Sequence, residues 1–105
     1  MTDSTPEVRD NAEVGRYEVL TDGTMAGFAR YVRRGGRAYF VHTEVDPKHE
    51  GAGLGSALVK GALEAQRDRG ELIVPLCPFV RGYIERHPEY ADVVDQAMLA
   101  TIDGD

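Results

Sequence analysis

Gly51, Gly53 and Gly55, His42 and Cys77 are the residues whose type and spacing could do chemistry. Three glycines at alternate positions, just before a long helical pattern, make a turn that bends tightly and lets a ligand approach the backbone. The helix N-terminus beyond them offers unpaired N–H groups and a partial positive charge to an anion. The stretch Gly51, Ala52, Gly53, Leu54, Gly55 and Ser56 therefore reads as a diphosphate cradle. The plainer alternative is a tight strand-to-helix connection without a ligand. A nucleotide-triphosphate loop is excluded, because no Lys-Ser/Thr pair follows the glycines. A dinucleotide fingerprint also fits poorly: the spacing is GxGxG rather than GxGxxG, and Glu71 falls before the next strand instead of at its end. A diphosphate other than that of NAD remains.

The run before the cradle, residues 38–45, is β-branched and aromatic and stops at Asp46-Pro47. By period 2, Phe40, His42 and Glu44 share one face of this strand, and Tyr39, Val41, Thr43 and Val45 the other. His42, so close to an anion site, is a candidate base; a histidine hydrogen-bonded within the sheet is the alternative. Glu44 reads most simply as facing solvent. Cys77 ends a second short strand, at the side of the sheet where open α/β sheets bind ligands. Lone cysteines are mostly small buried hydrophobes, which is the competing reading. Arg81, early in the next helix, faces either a phosphate or water. His49 and His87 lie at no metal-ligand spacing, so no metal site is expected.

An α/β (α+β) fold has to position these groups. The segments 8–11, 16–21, 25–33 and 37–45 read as an antiparallel meander, with Asp22-Gly23 and Gly35-Gly36 as its tight turns and Gly27 as a bulge signal. Residues 53–69 are helical, with Leu54, Leu58, Gly61, Ala62 and Ala65 on the core stripe and Gly70 as the stop. Residues 72–77 return as a strand, so the unit is β-α-β with a right-handed crossover and a parallel pair. Pro75 cannot donate to a ladder and belongs at an edge, a bulge or a place where strands part. A short helix over 79–86 and a last one over 91–102, with Val93, Val94, Ala97 and Met98 inward, complete the pattern.

At 105 residues the expectation is a single domain, 1–105, with its core at about 8–94 and loose termini at 1–7 and 103–105. A net charge of −6 argues against nucleic acid or a membrane surface, either of which wants a basic footprint. One cysteine excludes an internal disulfide, and no apolar run approaches a membrane span, so a cytoplasmic setting is expected.

The strand ending Thr-Glu-Val followed by His-Glu-Gly-Ala-Gly-Leu-Gly-Ser-Ala-Leu-Val resembles motif A of the GNAT superfamily of N-acetyltransferases. Val-Pro-Leu-Cys-Pro-Phe-Val-Arg and Tyr-Ile-Glu-Arg-His-Pro-Glu-Tyr90 extend the likeness to the small, stand-alone proteins of that superfamily, over residues 16–94. The resemblance implies acetyl-CoA or CoA as cofactor, with its diphosphate on the turn from Gly51 to Ser56. It implies a pantetheine arm between two parallel strands that splay apart, the ones ending at Val45 and Cys77, and the open ladder there gives Pro75 its reason. It implies His42 and Cys77 as the active-site pair, and a small-molecule or protein amine as acceptor. Monomer or weak homodimer is the expected state. Glu50 replaces the usual Gln or Arg of the motif, and the general-acid tyrosine of larger members falls on Ile84, with Tyr83 pointing elsewhere. At this length the terminal strands that usually shape an acceptor pocket are not expected. Besides an N-acetyltransferase, the residues admit a CoA-binding module with little catalysis, or an interaction protein whose glycine turn is only structural.

Overall fold

The computed structural model describes residues 6–49 and 53–103. Strands β1 (Glu7–Asn11), β2 (Arg16–Thr21), β3 (Thr24–Arg34), β4 (Arg37–Val45) and β5 (Leu72–Pro75) form one sheet in the order β1-β2-β3-β4-β5. The first four pair antiparallel in sequence, and β4 pairs with β5 in parallel. Helix α1 (Leu54–Arg69) is the crossover, α2 (Pro78–Arg86) follows β5, and α3 (Gln96–Asp103) comes last. The meander and the β-α-β unit are those expected from sequence.

Both tight turns are dictated locally. Asp22 and Gly23 take φ of 54° and 79°, and Gly35 and Gly36 take 59° and 77°. Positive φ at both central positions gives the primed turns whose twist matches that of the flanking strands. The bulge between β2 and β3 falls at Ala26, beside the glycine that signalled it. Gly27 has its own reason: a Cβ there would lie 2.6 Å from the Glu44 carbonyl oxygen of β4.

Helix α1 lies across one face of the sheet. Leu54, Leu58 and Ala62 are buried as expected, joined by Val59, Leu63 and Gln66. Gly61 is half-buried, and a Cβ on it would come within 2.7 Å of Val8, so the helix sits on β1 at glycine distance. Phe40, 1% exposed, is central to the core, its ring stacked on Tyr17 and tilted against Tyr31 at 5.9 Å from each.

The last helix expected over 91–102 is instead two elements. A 3-10 segment (Pro88–Val93) ends at Val94, which is extended and bridges to Ile73 beyond the edge of β5. Asp95 then donates its N–H to the Ile73 carbonyl at 2.9 Å, while its carboxylate takes Arg37 and the Met98 N–H in the first turn of α3. Backbone pairing with β5 outweighs helix propensity here. Ala97 is exposed, and of the expected inward residues Val93 and Val94 are buried and Met98 half-buried.

Among the described residues, the face of the sheet away from α1 carries one fully buried charge. Glu18, 2% exposed, accepts from Arg16 Nε at 2.8 Å, Asn11 Nδ2 at 3.0 Å and Arg9 Nε at 3.2 Å. Burial pushes its carboxyl up, but these three donors together hold it below the ordinary 4.5. A depressed folded value means the stabilisation is present above the ordinary value and is lost as pH falls through the folded one. Glu18→Gln is expected to cost about 2 kcal/mol at neutral pH. In denaturant titrations repeated down the pH scale, the variant should also lose less stability than the parent below pH 4.5.

Candidate functional site

Strand β4 carries the site, and an extra residue in it decides which way its side chains point. Arg30 of β3 pairs with His42, yet Tyr31 pairs with Phe40, so Val41 is a bulge with no partner across the ladder. A bulge shifts the alternation of faces by one. Phe40 and His42, which simple alternation puts together, therefore lie on opposite faces. Phe40 is buried among the core aromatics, whereas the His42 side chain is 55% exposed on the open face. There it meets Glu44, with Nε2 3.6 Å from Oε2, and the ring of Phe28 at 6.1 Å. Thr43 and Val45 turn to the helix side, and Val45 packs on the core.

Beside this bulge the parallel strands part. The β4–β5 register runs from Arg37↔Leu72 to Phe40↔Pro75 and stops there, while β4 continues to Val45. Proline ends the ladder because it has no N–H to continue it. The Phe40 carbonyl takes the next two amides instead, Leu76 N–H at 3.0 Å and Cys77 N–H at 2.9 Å, and the chain turns into α2. The Pro75 carbonyl receives Arg81 Nε and Nη2 at 3.3 and 3.2 Å. Arg81, expected on a phosphate or in water, thus holds the carbonyl at the fork. Cys77 is buried, and its thiol donates to Thr43 Oγ1 at 3.4 Å across the split. Thr43 was missed as a site residue because alternation assigns it to the side of Tyr39; only the bulge brings it to Cys77.

His42 and Cys77 are consequently not in contact. One stands on the open face and the other, with Thr43, on the helix side, and the split lies between them.

The cradle is described from Gly53 onward; Glu50, Gly51 and Ala52 lie outside the described residues. Gly53 caps α1 with φ 75° and ψ 14°, and its carbonyl accepts the Ala57 N–H at 3.0 Å. The amides of the first helical turn have no partner within the helix. No side chain caps them and no acidic residue stands in that turn, so the positive end of the dipole is unanswered among the described residues. Leu54 anchors the turn in the core, while Ser56 is exposed. Gly55 has a packing role as well, since a Cβ would sit 2.6 Å from the ring of Phe79. That ring, 44% exposed, lies over the start of α1. Tyr83 does point elsewhere, buried against His87 at 4.2 Å and Tyr90 at 6.0 Å.

Among the described residues, two cavities lie either side of the bulge. One, of about 460 Å³, is walled by Met25, Phe28, Glu44 and Asp46 with Gly27 at its floor. The other, of about 430 Å³, is lined by Val32, Arg34, Tyr39, Leu76 and Met98. Among the described residues no helix is long and apolar enough to cross a membrane.

Solved structures share this fold. The solution structure of a GCN5-like protein from Staphylococcus aureus superposes with a TM-score of 0.64 at 21% identity, over 84% of this chain and 86% of that one. The crystal structure of the ribosomal-protein-S18-alanine N-acetyltransferase from Escherichia coli gives 0.55 at 24% identity, over 63% of this chain but only 43% of that enzyme. At such identities the likeness shows the fold. A search of curated proteins finds no match to this sequence. The family model described as GCN5-related N-acetyl-transferase matches residues 16–93, from β2 through the fork and α2 to the end of the 3-10 segment. The chain belongs to the GCN5-related N-acetyltransferases.

Proposed function

We propose that the protein transfers an acetyl group from acetyl-CoA to a primary amine in the cytoplasm. The observation that carries this reading is the parting of β4 from β5 at Pro75, which leaves the backbone of residues 41–45 open on one edge. An extended pantetheine arm fits such an edge as a strand would, by hydrogen bonding to main-chain groups near Val45. The uncapped first turn of α1, at Gly53, Leu54, Gly55 and Ser56, is suited to the diphosphate. Gly51 and Ala52 complete the cradle in this reading. Arg81 supports it indirectly, by holding the fork open through Pro75.

Acetyl-CoA supplies an activated thioester. On the open face His42 accepts the proton of the acceptor's ammonium, directly or through one water, and frees the nitrogen lone pair to form the new C–N bond. Backbone N–H groups of the bulge answer the charge that develops on the carbonyl oxygen. On the helix side Cys77, its S–H already aimed across the split at Thr43, delivers a proton to the departing thiolate and regains it from solvent. The products are the acetamide, CoA thiol and one proton. Because the thiol is buried, the acid role suits Cys77 better than that of an acetyl carrier.

A second reading, a CoA-binding module with little turnover, draws support from the exposure of His42, more than half of whose side chain is open to solvent. Calorimetry separates the two. Acetyl-CoA is expected to bind at micromolar concentration, and Gly53→Glu to weaken it about tenfold or more, since like charges a few ångströms apart repel strongly near a protein surface. Gly53→Ala imposes the same left-handed strain without the charge, and should bind nearly as the parent does. Binding with steady acetylation of an amine supports transfer, binding without it the module, and no binding overturns both.

A further inference from the structure

We propose that the Thr43 hydroxyl is the group that protonates the departing thiolate, and that Cys77 recharges it from behind. This rests on the transfer reading above and divides the acid role given there to Cys77 between two residues.

The Cys77 thiol donates its hydrogen to Thr43 Oγ1 at 3.4 Å, so the hydrogen it could offer a ligand is already engaged. A threonine hydroxyl is donor and acceptor at once. With the thiol on one lone pair of Thr43, the hydroxyl's own hydrogen points elsewhere, and it finds no acceptor among the described residues. Thr43 is half-buried, in the part of β4 that runs on beyond the last pair with β5, Phe40↔Pro75. A valine would suit a strand there equally well. What Thr43 adds is a donor without an acceptor, beside the open edge on which the pantetheine arm is placed above. His42 precedes it in the chain, so the base and this donor stand on opposite faces of one edge.

Neither residue suffices alone. A lone threonine hydroxyl is far too weak an acid to be left as an alkoxide. A cysteine and CoA are both alkyl thiols, so moving a proton from one sulfur to the other is close to even. In the relay the C–S bond of the tetrahedral intermediate breaks, its electron pair goes to the CoA sulfur, and that sulfur takes the Thr43 proton. Thr43 Oγ1 takes the Cys77 proton in the same movement, and Cys77 stays a thiolate until solvent reprotonates it after product release. The hydrogen now on Thr43 lies toward that sulfur, a charge-assisted bond. Cys77 is also the N-cap of α2, with no acidic residue in the first turn, so the charge rests at the positive end of the helix dipole.

The test has one arm with turnover and one without. With a saturating amine, Thr43→Val and Cys77→Ala should each lower kcat about a hundredfold, the low end for a positioned acid, with KM for acetyl-CoA within a few-fold. The double variant should lose no more than either single one, because both interrupt the same path. Thr43→Ser keeps the hydroxyl and should restore most of the rate. The second arm is calorimetry at about pH 9, where CoA is largely a thiolate, in a Cys77→Ala background that leaves the protein without a thiol. That protein should bind CoA about tenfold more tightly than desulfo-CoA, the worth of one hydrogen bond to a charged group. Adding Thr43→Val should abolish the difference. A Thr43→Val protein as active as the parent, or losses that multiply in the double variant, would overturn the relay and leave transfer intact. Equal binding of CoA and desulfo-CoA in the Cys77→Ala protein would overturn it too. A parent that acetylates no amine, with the preference for CoA still dependent on Thr43, would refute transfer and leave the donor standing.

Discussion

His42→Ala is expected to lower the rate of acetyl transfer to an amine by about a hundredfold or more, the usual contribution of a positioned general base. The affinity for acetyl-CoA should stay within a few-fold. The separation follows from where the side chain lies: on the bare face, more than half exposed, touching Glu44 and Phe28 and no core residue. Little packing is lost, so melting temperature should scarcely move. Cys77→Ala provides the contrast. Its thiol is buried in the split against Thr43, and its removal should lower turnover while leaving CoA affinity within a few-fold. Cys77→Ser keeps a hydroxyl donor toward Thr43 and should recover part of the loss if the group acts as an acid. A fully active Cys77→Ala protein would remove that residue from the mechanism, and a fully active His42→Ala protein would remove the base. Steady-state rates with a saturating amine, beside calorimetric Kd values, make both comparisons.

The largest effect on stability is expected from Phe40→Ala, about 3 to 5 kcal/mol for a fully buried aromatic side chain. A domain of this size has only about 5 to 15 kcal/mol in total, so the variant should unfold at a much lower denaturant midpoint. The ring is wedged between Tyr17 and Tyr31 on the helix side of the sheet. Its backbone has a second role, because the Phe40 carbonyl holds the amides of both Leu76 and Cys77 at the fork. The cavity left by the ring will loosen that carbonyl, and acetyl-CoA affinity should fall together with stability. Phe40→Leu keeps most of the volume and should restore both. Preserved acetyl-CoA affinity in a Phe40→Ala protein that is still folded would show that the fork does not depend on this core.

Much of the scaffold was legible from local signals. Asp22-Gly23 and Gly35-Gly36 announced their turns because positive φ at two successive positions is tolerated by few residue pairs. The span of α1 followed from its periodicity and from Gly70, which indeed ends it in the left-handed conformation. Pro75 marked the parting of the strands, since a residue without an N–H must sit where a ladder has stopped. Arg81 was harder to place. A cation early in a helix near a cradle suggests a phosphate, and the fold adds the Pro75 carbonyl as a partner that the sequence did not announce.

By itself, then, the sequence determined the order of elements, the turns, the crossover and the point at which the sheet opens, because each of these depends on the conformational limits of a few adjacent residues. Only the tertiary structure decided which side of the sheet each site residue occupies. Val41 is as acceptable in a regular strand as in a bulge, and its extra place in β4 is fixed by the pairing of Arg30 with His42 and of Tyr31 with Phe40. The same holds for Val94, drawn out of a helix by Ile73, and for the meeting of Thr43 with Cys77. Register between strands is set by partners distant in the chain and by the core they share, and one residue of slip puts His42 on the face opposite Phe40.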